Sequence, residues 1–166
     1  MATIRIPILG YSTLPDTSGS VFFEPASVNF GANDLNPHLV VAFADTATKI
    51  ELRGSFSVPK NYVGVPKVVV IWGAIPTTGN VVWDFDYTAI ASGESLDPSA
   101  DQEAVTVTTT VNGTARFRNE SLMALTAANL AVDDVVVFSL SRDGAASDTL
   151  AGVAYVVAVL FEYTDA

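Results

Sequence analysis

Apolar and polar residues alternate with a period of two along most of this chain, the spacing that gives an extended strand one inner and one outer face. Ile4, Ile6 and Ile8 share a face of a first short strand. Residues 21–28 predict a second, with Pro25 placing it at a sheet edge, and 38–43 a third after Pro37. Over 50–58 the pattern sets Ile50, Leu52, Phe56 and Val58 inward and Glu51, Arg53, Ser55 and Ser57 outward, and Pro59 stops the strand. Residues 67–72 have no polar outer face, so this strand is expected to be covered on both sides. Over 81–90, Val81, Trp83, Phe85, Tyr87 and Ala89 face one way and Asp84, Asp86 and Thr88 the other.

Turn signals separate these runs. Pro76 to Asn80 reads as a turn and 92–101 as a polar loop. Residues 103–111 alternate Val and Thr, and Asn112-Gly113 predicts a two-residue hairpin into 114–125. A single helical turn is expected over 126–130, then strands over 135–142 and 153–163. Nine or ten strands with no helix of ordinary length predict an all-β, single-domain antiparallel β-sandwich, jelly-roll-like, over residues 1–166. A closed barrel is the alternative. Residues 1–20 are expected to serve as an extended N-terminal arm.

Composition sharpens this. Val and Thr together supply 39 of 166 residues, and Asp outnumbers Glu twelve to six, a balance of strands and turns rather than helices. The formal charge of −10 argues against a nucleic-acid partner. The longest apolar stretch, 150–161, is too short and too Val-rich for a membrane span, so no membrane partner is expected. The first seven residues carry no secretory pattern. Without cysteine there is no disulfide framework, thiol nucleophile or Cys-ligated zinc.

Candidate chemistry is sparse. His38 is the sole histidine and has no nucleophile motif near it, which favours a structural role. Asp84 and Asp86 lie two apart on one strand face; with a third acid they could serve calcium or a glycosidase, but the favoured reading is the solvated face of a half-buried strand, paired with Arg or Lys opposite. Asp133, Asp134, Asp143 and Asp148 have oxygen ligands of the kind calcium takes, but no EF-hand spacing, and turn formation accounts for them. Trp72, Trp83, Phe85 and Tyr87 read as core rather than as a sugar-stacking row. Asn112 and Asn119 match the glycosylation pattern without a secretory context, and Arg116 and Arg118 make no nucleic-acid patch. No catalytic, cofactor-binding or metal-binding set follows, and the chain is expected not to be an enzyme.

Four segments carry a resemblance. They are 54–64, with Gly54, Pro59 and Gly64; 78–87, with Gly79, Asn80, Trp83, Asp84 and Asp86, running into 93–97; 130–144, with Asp133, Asp134, Arg142 and Gly144; and 147–152, with Asp148 and Gly152, followed by a strand ending Phe161-Glu162-Tyr163. Their order resembles small β-sandwich virion proteins of tailed bacteriophages and prophages. That resemblance implies a structural component on the outer capsid surface, a decoration or cement protein. Its partners would be the major capsid protein or other virion proteins, and it would be a homo-oligomer, as a trimer. The alternative it implies is a tail-fibre or adhesin module that binds host glycan through an exposed aromatic or acidic cleft. Arg142 and Asp148 flank one loop and are expected to pair across it.

Overall fold

The computed structural model describes residues 1–8, 14–15, 23–25, 39–47, 49–96, 101–144 and 147–166, with the backbone alone for 14–15, 23–25, 39 and 50. Period-two alternation becomes two antiparallel sheets packed face to face. The strands are β1 (Thr3–Pro7), β2 (Leu14–Pro15), β3 (Phe23–Pro25), β4 (Leu39–Phe43), β5 (Ile50–Ser57), β6 (Tyr62–Ala74), β7 (Asn80–Ile90), β8 (Gln102–Thr110), β9 (Asn119–Ala124), β10 (Val135–Arg142) and β11 (Ala154–Asp165). One sheet runs β3-β4-β11-β6-β9, with β1 also on β11; the other runs β2-β5-β10-β7-β8. Strands β4 to β11 thus interleave as β4-β11-β6-β9 over β5-β10-β7-β8, the two-Greek-key order of a jelly roll. The expected all-β sandwich is the observed architecture.

The inward faces meet in one apolar core. Trp72 from β6 and Trp83 from β7 are buried with their rings 6.0 Å apart, and Phe43 of β4 meets Trp83 edge-on at 5.1 Å. Phe85 stacks on Phe138 at 5.1 Å, and Phe56 crosses between the sheets to Phe161 at 4.9 Å. Such offset and edge-on pairs add to the burial of large apolar area. β6 is buried continuously from Val68 to Ala74, as its lack of a polar face predicts.

Ile8 is buried and Ile4 and Ile6 pack on the core, because β1 pairs with β11 in the register Ile4↔Tyr163, Arg5↔Glu162 and Ile6↔Phe161. Thr3–Pro7 is therefore a strand of the chain's own sheet and does not extend away as an arm. β2 pairs with β5, and the rest of 9–20 lies outside the described residues. β3 takes the edge position that Pro25 predicts. The helical turn near 126–130 is a 3-10 turn, Ala127–Asn129.

The hairpin expected at Asn112-Gly113 does not form. β8 belongs to one sheet and β9 to the other, so this segment carries the chain across the sandwich. Local hydrogen bonds explain why. Asn112 Oδ1 accepts from Thr114 N at 3.0 Å, and Asn119 Oδ1 accepts from Asn112 N at 2.7 Å. These side-chain bonds replace the strand ladder with an Asx turn.

A buried ion pair closes one end. Asp148 holds the Arg142 guanidinium through Nε at 2.8 Å and Nη2 at 2.7 Å, both side chains fully buried. Gly79, at φ +108°, presses on the same loop: a Cβ there would stand 2.5 Å from Thr149 O, so only glycine fits.

Candidate functional site

Jelly-roll order places β5, β10, β7 and β8 side by side, and their outward residues form a polar floor. Cross-strand register aligns Glu51, Ser141, Asp84 and Thr106 in one row and Arg53, Ser139, Asp86 and Ala104 in the next. Thr88 and Gln102 lie opposite each other one step further on. Above this floor lies an open groove of about 620 Å³, lined by Glu51, Arg53, Asp86, Thr88, Gln102 and Ser139 among others.

Two kinds of carboxylate share the floor. Asp84 is buried and fully engaged: it accepts from Lys49 Nζ at 2.6 Å and from Thr106 Oγ1 at 2.6 Å. The pairing expected for the Asp84 face is thus real, but its partner comes from the segment before β5, and Asp84 is not solvated. Its hydrogen bond holds the Lys49 ammonium above its ordinary pKa against the opposing effect of burial, and the nearby Asp143 at 3.8 Å adds to it. Asp86, two residues on, is exposed and receives no hydrogen bond from the described residues. Desolvation pushes its carboxyl above the usual range; Lys49 opposes this, and the charges of Asp84 and Glu51 add to it. Arg53 bonds Glu51 at 2.9 Å, and Ser139 Oγ is buried beneath the floor with no hydrogen-bond partner among the described residues. At the groove margin Glu103 accepts from Tyr87 Oη at 2.5 Å and from Thr126 N and Oγ1 at 2.9 and 2.8 Å. Burial opposes ionisation of Glu103, but these bonds outweigh it and lower its pKa; burial and the carboxylate push the Tyr87 phenol up.

Asp84 and Asp86 stay on one sheet face, but only Asp86 lines the groove, while Asp84 is buried beside it against Lys49 and Thr106. The loop acids are structural. Asp134 Oδ2 accepts from Ala131 N at 2.7 Å, Asp133 turns the chain at φ +68°, and Asp148 is consumed by Arg142. Among the described residues no three His, Asp or Glu side chains converge on a metal position. His38 lies outside the described residues. Trp72, Trp83, Phe85 and Tyr87 are core, as the alternation predicts. Asn119 is buried and bonded, and it carries structure. Sequence reading passed over Arg53, Gln102 and Ser139 as groove residues. Their outward positions were readable; their adjacency depends on strand order.

No protein-family model matches the chain, and no curated protein matches it. Among solved structures the chain is similar to CBM35 from Cellvibrio japonicus Abf62, a carbohydrate-binding module, with a TM-score of 0.48 and 9% identity over 96% of this chain and 92% of that one. It is similar to the carbohydrate-binding module TmCBM61, solved with β-1,4-galactotriose, with a TM-score of 0.43 and 12% identity over 93% and 89%. It also resembles part of arabinose-bound MgGH51 α-L-arabinofuranosidase, with a TM-score of 0.42 and 15% identity over 95% of this chain and 23% of that one.

The expected capsid decoration function is corrected here. The similar structures are carbohydrate-binding modules and a glycosidase, not capsid proteins. The physical reason lies in the positions that carried the resemblance. Gly79, Trp83, Asp84, Arg142 and Asp148 are occupied inside the fold by packing, turn geometry and buried pairing. They specify a sandwich and carry no information about a shell.

Proposed function

We propose that this chain is a saccharide-binding β-sandwich module whose ligand lies in the groove across β5, β10, β7 and β8. One observation carries the reading: an open groove of about 620 Å³ with carboxylate, guanidinium, amide and hydroxyl groups on a single rigid sheet face. Sugar hydroxyls both donate and accept, so a neutral glycan needs mixed donors and acceptors at close spacing. Asp86 offers an acceptor without a hydrogen bond from the described residues, Arg53 and Gln102 carry donor groups at the groove wall, and Thr88 is a two-way group. Ala104 and Val137 supply apolar area for C–H faces. The volume is within the range of small-molecule sites, roughly 300–1,000 Å³. Placement on strands rather than loops pre-organises the contacts and lowers the ordering cost of binding.

The experiment is affinity electrophoresis through gels that hold soluble neutral polysaccharides of different linkage, followed by calorimetry with oligomers of any that retard the protein. The expected result is retardation of the wild type and a loss of affinity of about tenfold or more in Asp86→Ala, the effect of removing one charge-assisted hydrogen bond. Circular dichroism should show the variant folded, since Asp86 makes no internal hydrogen bond with the described residues. Passage of the wild type through every polysaccharide unretarded, or equal retardation of Asp86→Ala, would overturn the reading.

A further inference from the structure

The opposite face of the sandwich carries a second feature that the groove does not use. The crossover between β8 and β9 lays Arg116, Phe117 and Arg118 against the outer side of β6 and β11. Together with Ile71, Gly73 and Val157 they enclose a cleft of about 230 Å³. Phe117 is 56% exposed, and Val157 is 44% exposed where a register shift between Val156 and Ala158 bulges β11 outward. Gly73 has no side chain to fill the space.

Three features of this shelf run against simple stability. A phenylalanine ring faces solvent. Arg116 sits at φ +65°, a left-handed conformation that is uncommon for a residue with a side chain. Its guanidinium also has no ion-pair partner among the described residues, in a chain of formal charge −10. Arg5, Lys49, Arg53, Lys67, Arg118 and Arg142 all lie within ion-pair distance of a carboxylate, and among the described residues only Lys60 shares the lack of one. The loop is nonetheless held firmly. Arg116 N donates to Ala74 O at 2.7 Å, and buried Asn119 donates to Phe117 O at 3.1 Å while accepting from Asn112 N. A cation with no ion-pair partner among the described residues thus stands beside an exposed ring on a backbone that is held in place.

We propose that this shelf binds an anionic sugar residue, its C–H face stacked on Phe117 and its carboxylate or sulfate paired with Arg116. Charge complementarity selects the anion, since the guanidinium fork matches planar carboxylate and sulfate oxygens alike. The apolar floor of Ile71 and Val157 and the small volume favour a single ring over a chain of charges. The shelf and the groove lie on opposite outer faces, so a substitution in one leaves the residues of the other in place.

Calorimetry on the full chain decides it, with three oligosaccharides of matched length as probes: one containing glucuronate, one sulfated and one neutral. Tighter binding of the carboxylated probe, the sulfated probe or both than of the neutral one is expected, with affinity falling as salt rises. Which anion binds identifies the source. Arg116→Gly removes the cation while suiting the positive φ, so it should fold at least as well as the wild type and weaken anionic binding about tenfold or more. Phe117→Ala, at an exposed position, should weaken it in parallel. Made in an Asp86→Ala background, where the groove is disabled, Arg116→Gly should cause the same loss, which separates failure of the groove from failure of the shelf. The proposal is overturned if neither anionic probe binds better than the neutral one, or if Arg116→Gly and Phe117→Ala bind as the wild type does.

Discussion

Arg142 uses all five of its N–H donors inside the protein. Two go to Asp148, one to Phe43 O at 3.0 Å, one to Gly152 O at 2.5 Å and one to Leu150 O at 2.7 Å. Asp148 in turn accepts from Val82 N and Leu150 N, both at 3.1 Å. Buried charges are tolerated only when satisfied this completely. Arg142→Met is expected to destabilise by about 3–5 kcal/mol, because it strands Asp148 in the interior. Arg142→Lys should also destabilise, since an ammonium cannot span the fork. The double replacement Arg142→Met with Asp148→Leu should lose less than Arg142→Met alone. Urea denaturation midpoints measure all three, and an unshifted midpoint for Arg142→Met would show that the pair contributes nothing. The pairing itself was legible, because both residues flank one loop. The carbonyl of Phe43 was not: it lies 99 residues away and arrives only through the packing of β4.

At the scale of elements, β1, β11 and β6 are clasped across their outer side. Register sets Arg5, Glu162 and Lys67 in a row, and Glu162 accepts from Arg5 Nε at 2.6 Å and Lys67 Nζ at 3.0 Å. Burial works against the ionised form of Glu162, but the two cationic donors outweigh it and hold its pKa below the ordinary value. A carboxylate with a lowered folded pKa stabilises above its unfolded pKa, and that contribution is lost as pH falls through the folded one. Glu162→Gln should therefore cost about 1–2 kcal/mol at pH 7, an amount reduced by the partial exposure of Arg5, and less at pH 3. Chemical denaturation at both pH values tests this; an equal loss at both would rule out the charge account. Alternation made the strands readable, and β10 spans residues 135–142 as the pattern predicts. The Asn112-Gly113 signal failed because the same dipeptide serves a hairpin or a crossover. Which one forms depends on Asn119, whose amide ties the turn to β9 instead of letting β8 and β9 pair.

Across the whole molecule, the jelly roll leaves two outer faces of different character: a polar sheet with an acidic groove, and a sheet with an apolar shelf edged by arginines. The sequence shows which residues point outward on each strand, because period two fixes that locally. It does not show that β5 and β8 are separated by β10 and β7, since this order arises from interleaving two Greek keys. The formal charge of −10 is therefore not spread evenly: Glu51, Asp84, Asp86 and Asp143 gather around Lys49 on one face. Asp86 bears the consequence. Its pKa is raised in the folded state, first by desolvation and then by neighbouring acids. A carboxyl with a raised folded pKa leaves stability untouched below its unfolded pKa and costs stability once pH has risen through the folded one. Asp86→Asn should match the wild type in thermal midpoint at pH 3. At pH 7 it should be slightly more stable, by a fraction of a kcal/mol or about 1 °C after allowance for solvent screening. The same variant should lose saccharide affinity, because an amide replaces the charged acceptor. Paired melting and binding curves at pH 7 test the trade. A variant that melts lower than the wild type there would place Asp86 among the structural carboxylates with Asp84, and the groove would lose its acceptor without an internal hydrogen bond.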